Sequence, residues 1–171
     1  MTQLEEKAKA FATNAHKGQT RKYTGDEYIT HPAAVVEIVR SITHTDAMLV
    51  AAWLHDVVED CGVSIDTIDH EFGIVVGELV SDLTDVSKPS DGNRAKRKAI
   101  DLKHTAQASA NAKTIKCADL IHNTESITKY DPDFAIVYRK EKQRLLEVLR
   151  EADSTLWNRA AELAGVGESN A

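Results

Sequence analysis

The decapeptide AAWLHDVVED, at residues 51–60, joins an apolar segment to a dense cluster of polar groups. The apolar half is typical of a buried helix. In the polar half, the adjacent His55 and Asp56 can supply a nitrogen and an oxygen ligand to one cation. Glu59 and Asp60 follow one helical turn later on the same faces. The decapeptide therefore predicts a core helix that emerges into a polar cavity with a chemical role.

The composition is that of one folded domain. The chain has 171 residues, of which 42% are hydrophobic and 28% are charged. The formal net charge of −6 argues against nucleic-acid binding, because affinity for phosphate backbones comes from clustered lysine and arginine. The sequence has no apolar run long enough to cross a membrane and no signal-peptide pattern at its start. We therefore expect a cytoplasmic protein that binds neither nucleic acid nor membrane.

Apolar residues recur at three- and four-residue spacing, and only three prolines and eight glycines interrupt them. This pattern predicts an all-α protein, a single bundle of about eight to ten helices over residues 1–164. The predicted helices cover approximately residues 3–16, 31–42, 47–59, 65–71, 74–83, 93–108, 112–129, 133–150 and 155–163. Residues 165–171, GVGESNA, are rich in glycine, serine and asparagine with no apolar segment after them to bury, so they are expected to form a flexible tail.

A second polar cluster lies in the segment IKCADLIHN, at residues 115–123. In a helix, Lys116, Asp119 and Asn123 share one face, while the apolar residues between them form the packing face. The carboxylate of Asp119 can therefore complete a metal site that begins in the first cluster.

The proposed metal ligands combine two nitrogen donors and two oxygen donors: His31, His55, Asp56 and Asp119. Such a mixed set suits an octahedral Mn²⁺, Fe²⁺ or Mg²⁺ that keeps about two positions for water and substrate. Zn²⁺ remains open. The HExxH pattern of metalloproteases is absent, because the residue four positions after His55 is Glu59.

An ordered set of segments resembles the HD-domain metal-dependent phosphohydrolases, specifically the small alarmone hydrolases related to the hydrolase domain of the RelA/SpoT homologues, including the metazoan SpoT homologues. The segments lie at residues 18–32, 51–60, 72–73, 83–88 and 116–123. A lone His-Asp pair is weak evidence, but these segments together span most of residues 8–130. The resemblance implies an all-helical enzyme that removes the 3′-pyrophosphate of ppGpp and pppGpp, usually with Mn²⁺, one ion per chain.

The resemblance also implies roles for single residues. Four match the metal ligands of the family: His31, His55, Asp56 and Asp119. Two match the acidic pair that assists hydrolysis: Glu59 and Asp60. Three match its substrate pocket: Arg21, Lys22 and Asn123. Glu27 and Leu120 depart from the family pattern, which often has proline and arginine there; neither change removes a ligand, and both bear on substrate affinity.

A substrate with two diphosphates is highly anionic, so an acidic protein needs local positive charge to hold it. Besides Arg21 and Lys22, a basic segment that begins at the predicted break, residues 88–92, and continues into the following helix can supply this charge. From that segment we predict three substrate contacts: Lys88, Arg94 and Arg97. A solvated helix face explains residues 94–98 as well as phosphate binding does, and at most two or three of these side chains can point the same way.

Three functions remain open on the sequence. The first is an alarmone 3′-pyrophosphohydrolase acting on ppGpp or its adenosine counterpart. The second is another HD phosphohydrolase, such as a nucleotidase or a cyclic-nucleotide phosphodiesterase; the loop at residues 21–32 argues against it because it fits the alarmone group closely. The third is a non-catalytic nucleotide sensor, against which the intact Glu59 and Asp60 speak. For all three functions the ligand is a small nucleotide. The sequence is also compatible with a homodimer.

Overall fold

The computed structural model describes residues 1–167, and this part of the chain folds into ten α-helices and one short 3-10 helix at Pro89–Asp91. The helices are α1 (Gln3–Ala15), α2 (Thr30–Arg40), α3 (Asp46–Leu54), α4 (Val57–Cys61), α5 (Ile65–Phe72), α6 (Ile74–Leu83), α7 (Arg94–Ala106), α8 (Ala110–Tyr130), α9 (Pro132–Val148) and α10 (Ser154–Leu163). The prediction of an all-α protein is confirmed. Of the predicted tail, residues 168–171 lie outside the described residues.

Short polar side chains begin most of the helices. Each accepts a hydrogen bond from a backbone N–H three residues later, which satisfies a group that the helix itself leaves without a partner. These N-cap residues are Thr2, Thr45, Ser64, Asn93, Ser109, Asp131 and Asp153. None of the helices in residues 1–167 combines the length and the apolar character that a membrane span requires.

The predicted single helix over residues 47–59 is wrong, because the chain turns at His55 and Asp56 between α3 and α4. Neighbouring residues in a continuous helix project about 100° apart, which disfavours both facing one small cavity. The turn eases this restriction. Both side chains can therefore point to the same place, while Glu59 still follows in α4.

Two helices, α3 and α8, form the centre of the bundle. Helix α3 packs against α1, α2, α6 and α8, and α8 also packs against α2, α6, α9 and α10. Every residue from Met48 to Leu54 is buried, so α3 has no solvent-facing side over this length. The end of α3, the start of α2 and the middle of α8 meet in the interior, and this junction carries all the predicted metal ligands.

A buried carboxylate links the first three helices beside this core. Glu5 of α1 is 2% exposed and forms an ion pair with Arg40 at the end of α2. It also accepts a hydrogen bond of 3.2 Å from the indole nitrogen of Trp53 in α3. A buried charge is tolerated when it is paired and hydrogen-bonded in this way. The contacts hold α2 and α3 in the relative position that the site requires.

Candidate metal centre

The four predicted ligands converge although they are distant in the sequence. His31 Nε2 lies 3.1 Å from Asp119 Oδ1 and 3.6 Å from Asp56 Oδ2. His55 Nε2 lies 3.0 Å from Asp56 Oδ2 and 3.6 Å from Asp119 Oδ1. The donor atoms of His31, His55 and Asp56 all lie within 4.8 Å of one another. The structure therefore contains a possible metal site built from imidazole and carboxylate donors.

Each histidine is held through the nitrogen that faces away from the cluster. His55 Nδ1 lies 2.8 Å from the backbone oxygen of Ala52, to which it donates. His55 Nε2 is buried and has no hydrogen-bond partner, although two carboxylates surround it. His31 Nδ1 lies 2.7 Å from Nδ1 of His122. A buried ring nitrogen beside carboxylates fits a divalent cation, because the cation would bind the nitrogen and both acids at once.

Other side chains orient the two carboxylates. Tyr28 donates its hydroxyl to Asp56 Oδ2 over 2.7 Å. Lys116 Nζ donates to Asp119 Oδ2 over 2.9 Å, and Asn123 Nδ2 donates to Asp119 Oδ1 over 2.8 Å. Lys116, Asp119 and Asn123 share one face of α8, as the sequence predicts. Such partners limit the movement of the ligands and so prepare the site for one geometry.

The electrostatics of the cluster favour a bound cation. Burial opposes ionisation of Asp56, but His55 outweighs it and holds the pKa of Asp56 at about 2. Burial opposes ionisation of Asp119 as well, but Lys116 and both histidines bring its pKa well below the usual range. Burial lowers the pKa of His31. It acts in the same direction on His55, but Asp56 and Asp119 overcome it and raise that pKa. Both acids are therefore ionised at neutral pH. A metal ion would replace the proton that His55 holds near the two carboxylates.

The acidic pair lies at the rim of the cluster, on the short helix α4. The carboxylate of Glu59 accepts the backbone N–H of Asp85. Loss of water around this carboxylate raises the pKa of Glu59 to about 7, and the backbone N–H only partly opposes the shift. Burial and the nearby charge of Asp56 also raise the pKa of Asp60. Glu59 can therefore gain or lose a proton at neutral pH.

The structure places the predicted substrate-binding residues Arg21, Lys22 and Asn123 in different environments. Arg21 Nη2 donates to Asn123 Oδ1 over 3.3 Å, and its guanidinium lies 5.8 Å from the ring centre of Tyr28. Arg21 also lines a cavity of about 310 Å³ together with His122. Lys22 is exposed and lies over the ring of Tyr23, at 5.3 Å. The structure thus brings Arg21 and Asn123 to the cluster and places Lys22 at the surface.

A second cavity, which we call the α7–α9 cavity, has a volume of about 500 Å³ and adjoins the cluster. Its lining contains six basic residues: Arg94, Lys98, Lys116, Lys140, Lys142 and Arg144. The acidic lining residues are Asp85, Asp101 and Glu141. Two residues connect the cavity to the cluster, since Lys116 binds Asp119 and the backbone of Asp85 binds Glu59.

Only part of the predicted basic segment belongs to this cavity. Arg94 lines it and makes two hydrogen bonds to Glu141, of 2.8 and 2.9 Å. Lys88 precedes the 3-10 helix and Arg97 projects elsewhere from α7, and neither is a lining residue. The basic residues contributed by α9 were not predicted. No local motif marks them, because they become neighbours of Arg94 only through the packing of α7 on α9.

The profile of the HD domain family matches residues 8–152 of this chain. The chain belongs to the HD domain family. The sequence resemblance is thereby confirmed at the level of the family.

Relatives with curated names support the same assignment. A probable GTP pyrophosphokinase of Mycobacterium leprae is 36% identical over 131 residues, which are 76% of this chain but 16% of that protein. Human guanosine-3′,5′-bis(diphosphate) 3′-pyrophosphohydrolase MESH1 is 34% identical over 129 residues, which are 72% of this chain and 69% of that protein. The chain spans less than a fifth of the length of several curated relatives that it matches.

The fold also matches a solved structure described as a metazoan orthologue of SpoT that hydrolyses ppGpp. The TM-score is 0.84 with 26% sequence identity, and the match covers 95% of this chain and 94% of the other. This agreement extends over the whole helical bundle and supports the assignment of the all-α fold to the HD domain.

Two supporting residues of this HD domain were not singled out from the sequence. Tyr28 lies three residues before His31 and holds Asp56, and His122 lies three residues after Asp119 and holds His31. Each therefore lies about one helical turn from a ligand in the sequence, and that spacing is the signal that marks them. The partner that each one holds comes from another helix or turn, which the spacing does not reveal.

Proposed function

We propose that this HD domain is a metal-dependent hydrolase that removes the 3′-pyrophosphate of ppGpp or a related alarmone. The observation that carries the proposal is the convergence of two histidines and two aspartates beside an acidic pair: His31, His55, Asp56, Asp119, Glu59 and Asp60. MESH1 carries the name of this activity and aligns over most of its own length. The function is proposed for the domain that the two chains share.

We further propose that Mn²⁺ is the resident metal, with one ion per chain. The Nε2 atoms of His31 and His55 and the carboxylates of Asp56 and Asp119 would hold it. A cation with open positions lowers the pKa of a bound water molecule and polarises a phosphoryl oxygen. Fe²⁺, Mg²⁺ and Zn²⁺ accept the same kinds of donor atom and form the comparison set for reconstitution.

Glu59 is the group that we assign to proton transfer, and Asp60 is assigned to holding the attacking water. The N–H of Asp85 occupies one oxygen of Glu59 and leaves the other for water. Water attacks the phosphorus attached to the ribose 3′-oxygen, and the bond from this phosphorus to that oxygen breaks. Glu59 takes a proton from the water, and the departing 3′-oxygen gains one. For ppGpp the products are pyrophosphate and guanosine 5′-diphosphate.

The α7–α9 cavity is proposed to hold anionic phosphates of the substrate. Lys98 and Lys142 line it, and neither has a carboxylate within ion-pair distance among the described residues. Burial and the nearby charges of Lys116 and Lys98 together lower the pKa of Lys142 to about 8. Crowded lysines without a direct ion pair favour an anionic ligand, because a phosphate would relieve their mutual repulsion.

The nucleoside is assigned to the other side of the cluster. There the guanidinium of Arg21, already held by Asn123, is available to stack on a purine. Lys22, Lys88 and Arg97 remain predicted contacts, which would require their side chains to move when substrate binds. One cavity meets the cluster through Arg21 and His122 and the other through Lys116 and Asp85, and two such cavities suit a nucleotide that carries separate phosphate groups.

The test is pyrophosphate release by metal-reconstituted protein. Substrates are ppGpp, its adenosine counterpart, a cyclic dinucleotide and nucleoside monophosphates. We expect release from the nucleotides with a 3′-diphosphate and none from the others. Failure to release pyrophosphate from either 3′-diphosphorylated nucleotide would exclude the proposed function.

Variants separate metal binding from proton transfer. Asp56→Ala is expected to abolish both metal retention and activity, because it removes a ligand. Glu59→Ala is expected to slow turnover while metal binding is retained. Asp66→Ala, at an exposed position of α5, is the matched control and should change neither. Equal loss of metal in the Asp56 and Glu59 variants would contradict the proposed division of roles.

A further inference from the structure

His31 has neighbours at both ring nitrogens, and only one arrangement of protons leaves it able to bind a cation. Its Nε2 lies 3.1 Å from Asp119 Oδ1, and its Nδ1 lies 2.7 Å from Nδ1 of His122. His31 is 1% exposed, so solvent does not offer an alternative partner to either nitrogen. A neutral imidazole carries one ring proton, which makes one nitrogen a donor and the other an acceptor.

The contact between the two Nδ1 atoms needs one proton, and the two places for it define two states. In the blocked state His122 donates to His31, and the proton of His31 lies on Nε2 and is donated to Asp119. In the ligating state His31 donates to His122, and its Nε2 keeps a lone pair that faces the carboxylates. Only the ligating state accepts a metal ion, because a ligating nitrogen must carry no proton.

The other histidine ligand has no such choice. His55 Nδ1 faces the backbone oxygen of Ala52 at 2.8 Å, and a carbonyl oxygen only accepts hydrogen bonds. The proton of neutral His55 is therefore held on Nδ1. The main chain selects the tautomer of His55, whereas a side chain that can both donate and accept faces His31.

We propose that His122 is a positioning residue that selects the metal-binding tautomer of His31 by accepting a hydrogen bond from its Nδ1–H. In the ligating state the proton of His122 lies on Nε2. His122 is half-buried and lines the 310 Å³ cavity with Arg21, so this N–H meets water instead of being buried without a partner. The inference rests on the proposed metal site and is independent of the substrate.

The test measures the affinity of the metal-free protein for Zn²⁺ and Mn²⁺ by calorimetry. His122→Phe keeps a planar ring but removes the acceptor, and His122→Gln keeps an acceptor oxygen. Outer partners of ligating histidines typically contribute a factor of about 10–100 in metal affinity. We expect a loss of about that size in His122→Phe and recovery of most of it in His122→Gln.

The matched control is His104→Phe. His104 is also half-buried and also bonds through one ring nitrogen, since its Nε2 lies 3.0 Å from the backbone oxygen of Ser81. Its replacement removes a comparable contact without touching His31, so metal affinity should not change. Native affinity in His122→Phe, or an equal loss in His122→Phe and His122→Gln, would overturn the proposal, because neither result depends on an acceptor.

Nitrogen-15 NMR of the unaltered protein loaded with Zn²⁺ gives a second test that does not depend on the folding of a variant. The expected spectrum has a proton on Nδ1 of His31 and a proton on Nε2 of His122. A proton on Nδ1 of His122 in the loaded protein would overturn the proposal. Neither experiment contains a nucleotide, so a failure of the proposed hydrolysis leaves the inference standing, whereas a native protein that binds no metal overturns it.

Discussion

Replacing Glu59 with glutamine should remove both fast turnover and its dependence on pH near neutrality. Loss of water around the carboxylate raises the pKa of Glu59 to about 7. A carboxyl group with that pKa is about one tenth ionised at pH 6 and about nine tenths ionised at pH 8. A base must be deprotonated to accept a proton, so turnover should rise about tenfold between these pH values and be lost as the pH falls through 7.

Glu59→Gln keeps the size of the side chain and an oxygen that can accept the N–H of Asp85, but it has no titratable group. We expect kcat to fall by about 10²–10⁴-fold and the rise between pH 6 and pH 8 to disappear. The assay is pyrophosphate release from ppGpp with metal content measured at each pH. That second measurement separates protonation of Glu59 from loss of the metal at low pH.

A Glu59→Gln enzyme with native turnover and the same rise between pH 6 and pH 8 would show that another group takes the proton. The same series with Asp60→Asn identifies that group if it is the neighbouring acid. Asp66→Asn serves as the matched control, because this carboxylate is exposed on α5 and its replacement should leave the pH profile unchanged.

Three further predictions concern the supporting contacts. Tyr28→Phe, which removes the hydroxyl that binds Asp56, should weaken metal affinity by about tenfold in calorimetry while the melting temperature of the metal-free protein changes little. Lys142 loses its charge as the pH rises through about 8, so KM for ppGpp should increase above that pH in the native protein but not in Lys142→Arg. Arg40→Met leaves the carboxylate of Glu5 buried without its cation and should lower the free energy of unfolding by about 3–5 kcal/mol in chemical denaturation; a loss below about 1 kcal/mol would contradict this account of the pair.

The all-α fold and its family could be predicted because both depend on local patterns. Apolar spacing along each segment selects helix over strand, and polar caps such as Thr45 and Asn93 mark where helices begin. The proposed ligands could be identified for a related reason. A metal site needs particular donor atoms. Histidines and acidic residues in ordered motifs identify those donors before their positions in space are known.

The turn at His55 and Asp56 could not be predicted from the same patterns. The apolar residues of α3 and α4 continue at helical spacing through it, so the sequence favours one unbroken helix. The break places two adjacent side chains in one cavity, an arrangement that depends on the positions of α2 and α8 around it. Local spacing contains no information about those distant helices.

Amino-acid order therefore specified the helices and the kinds of atom available for chemistry, since both follow from residue type and short-range spacing. Packing decided which of those atoms meet. Three features join residues from separate elements: the contact between His31 and His122, the hydrogen bond from Tyr28 to Asp56, and the basic residues that α9 adds to the lining of the α7–α9 cavity. Such contacts form only when the apolar faces of many helices are buried together, and burial is a property of the whole bundle rather than of any one segment.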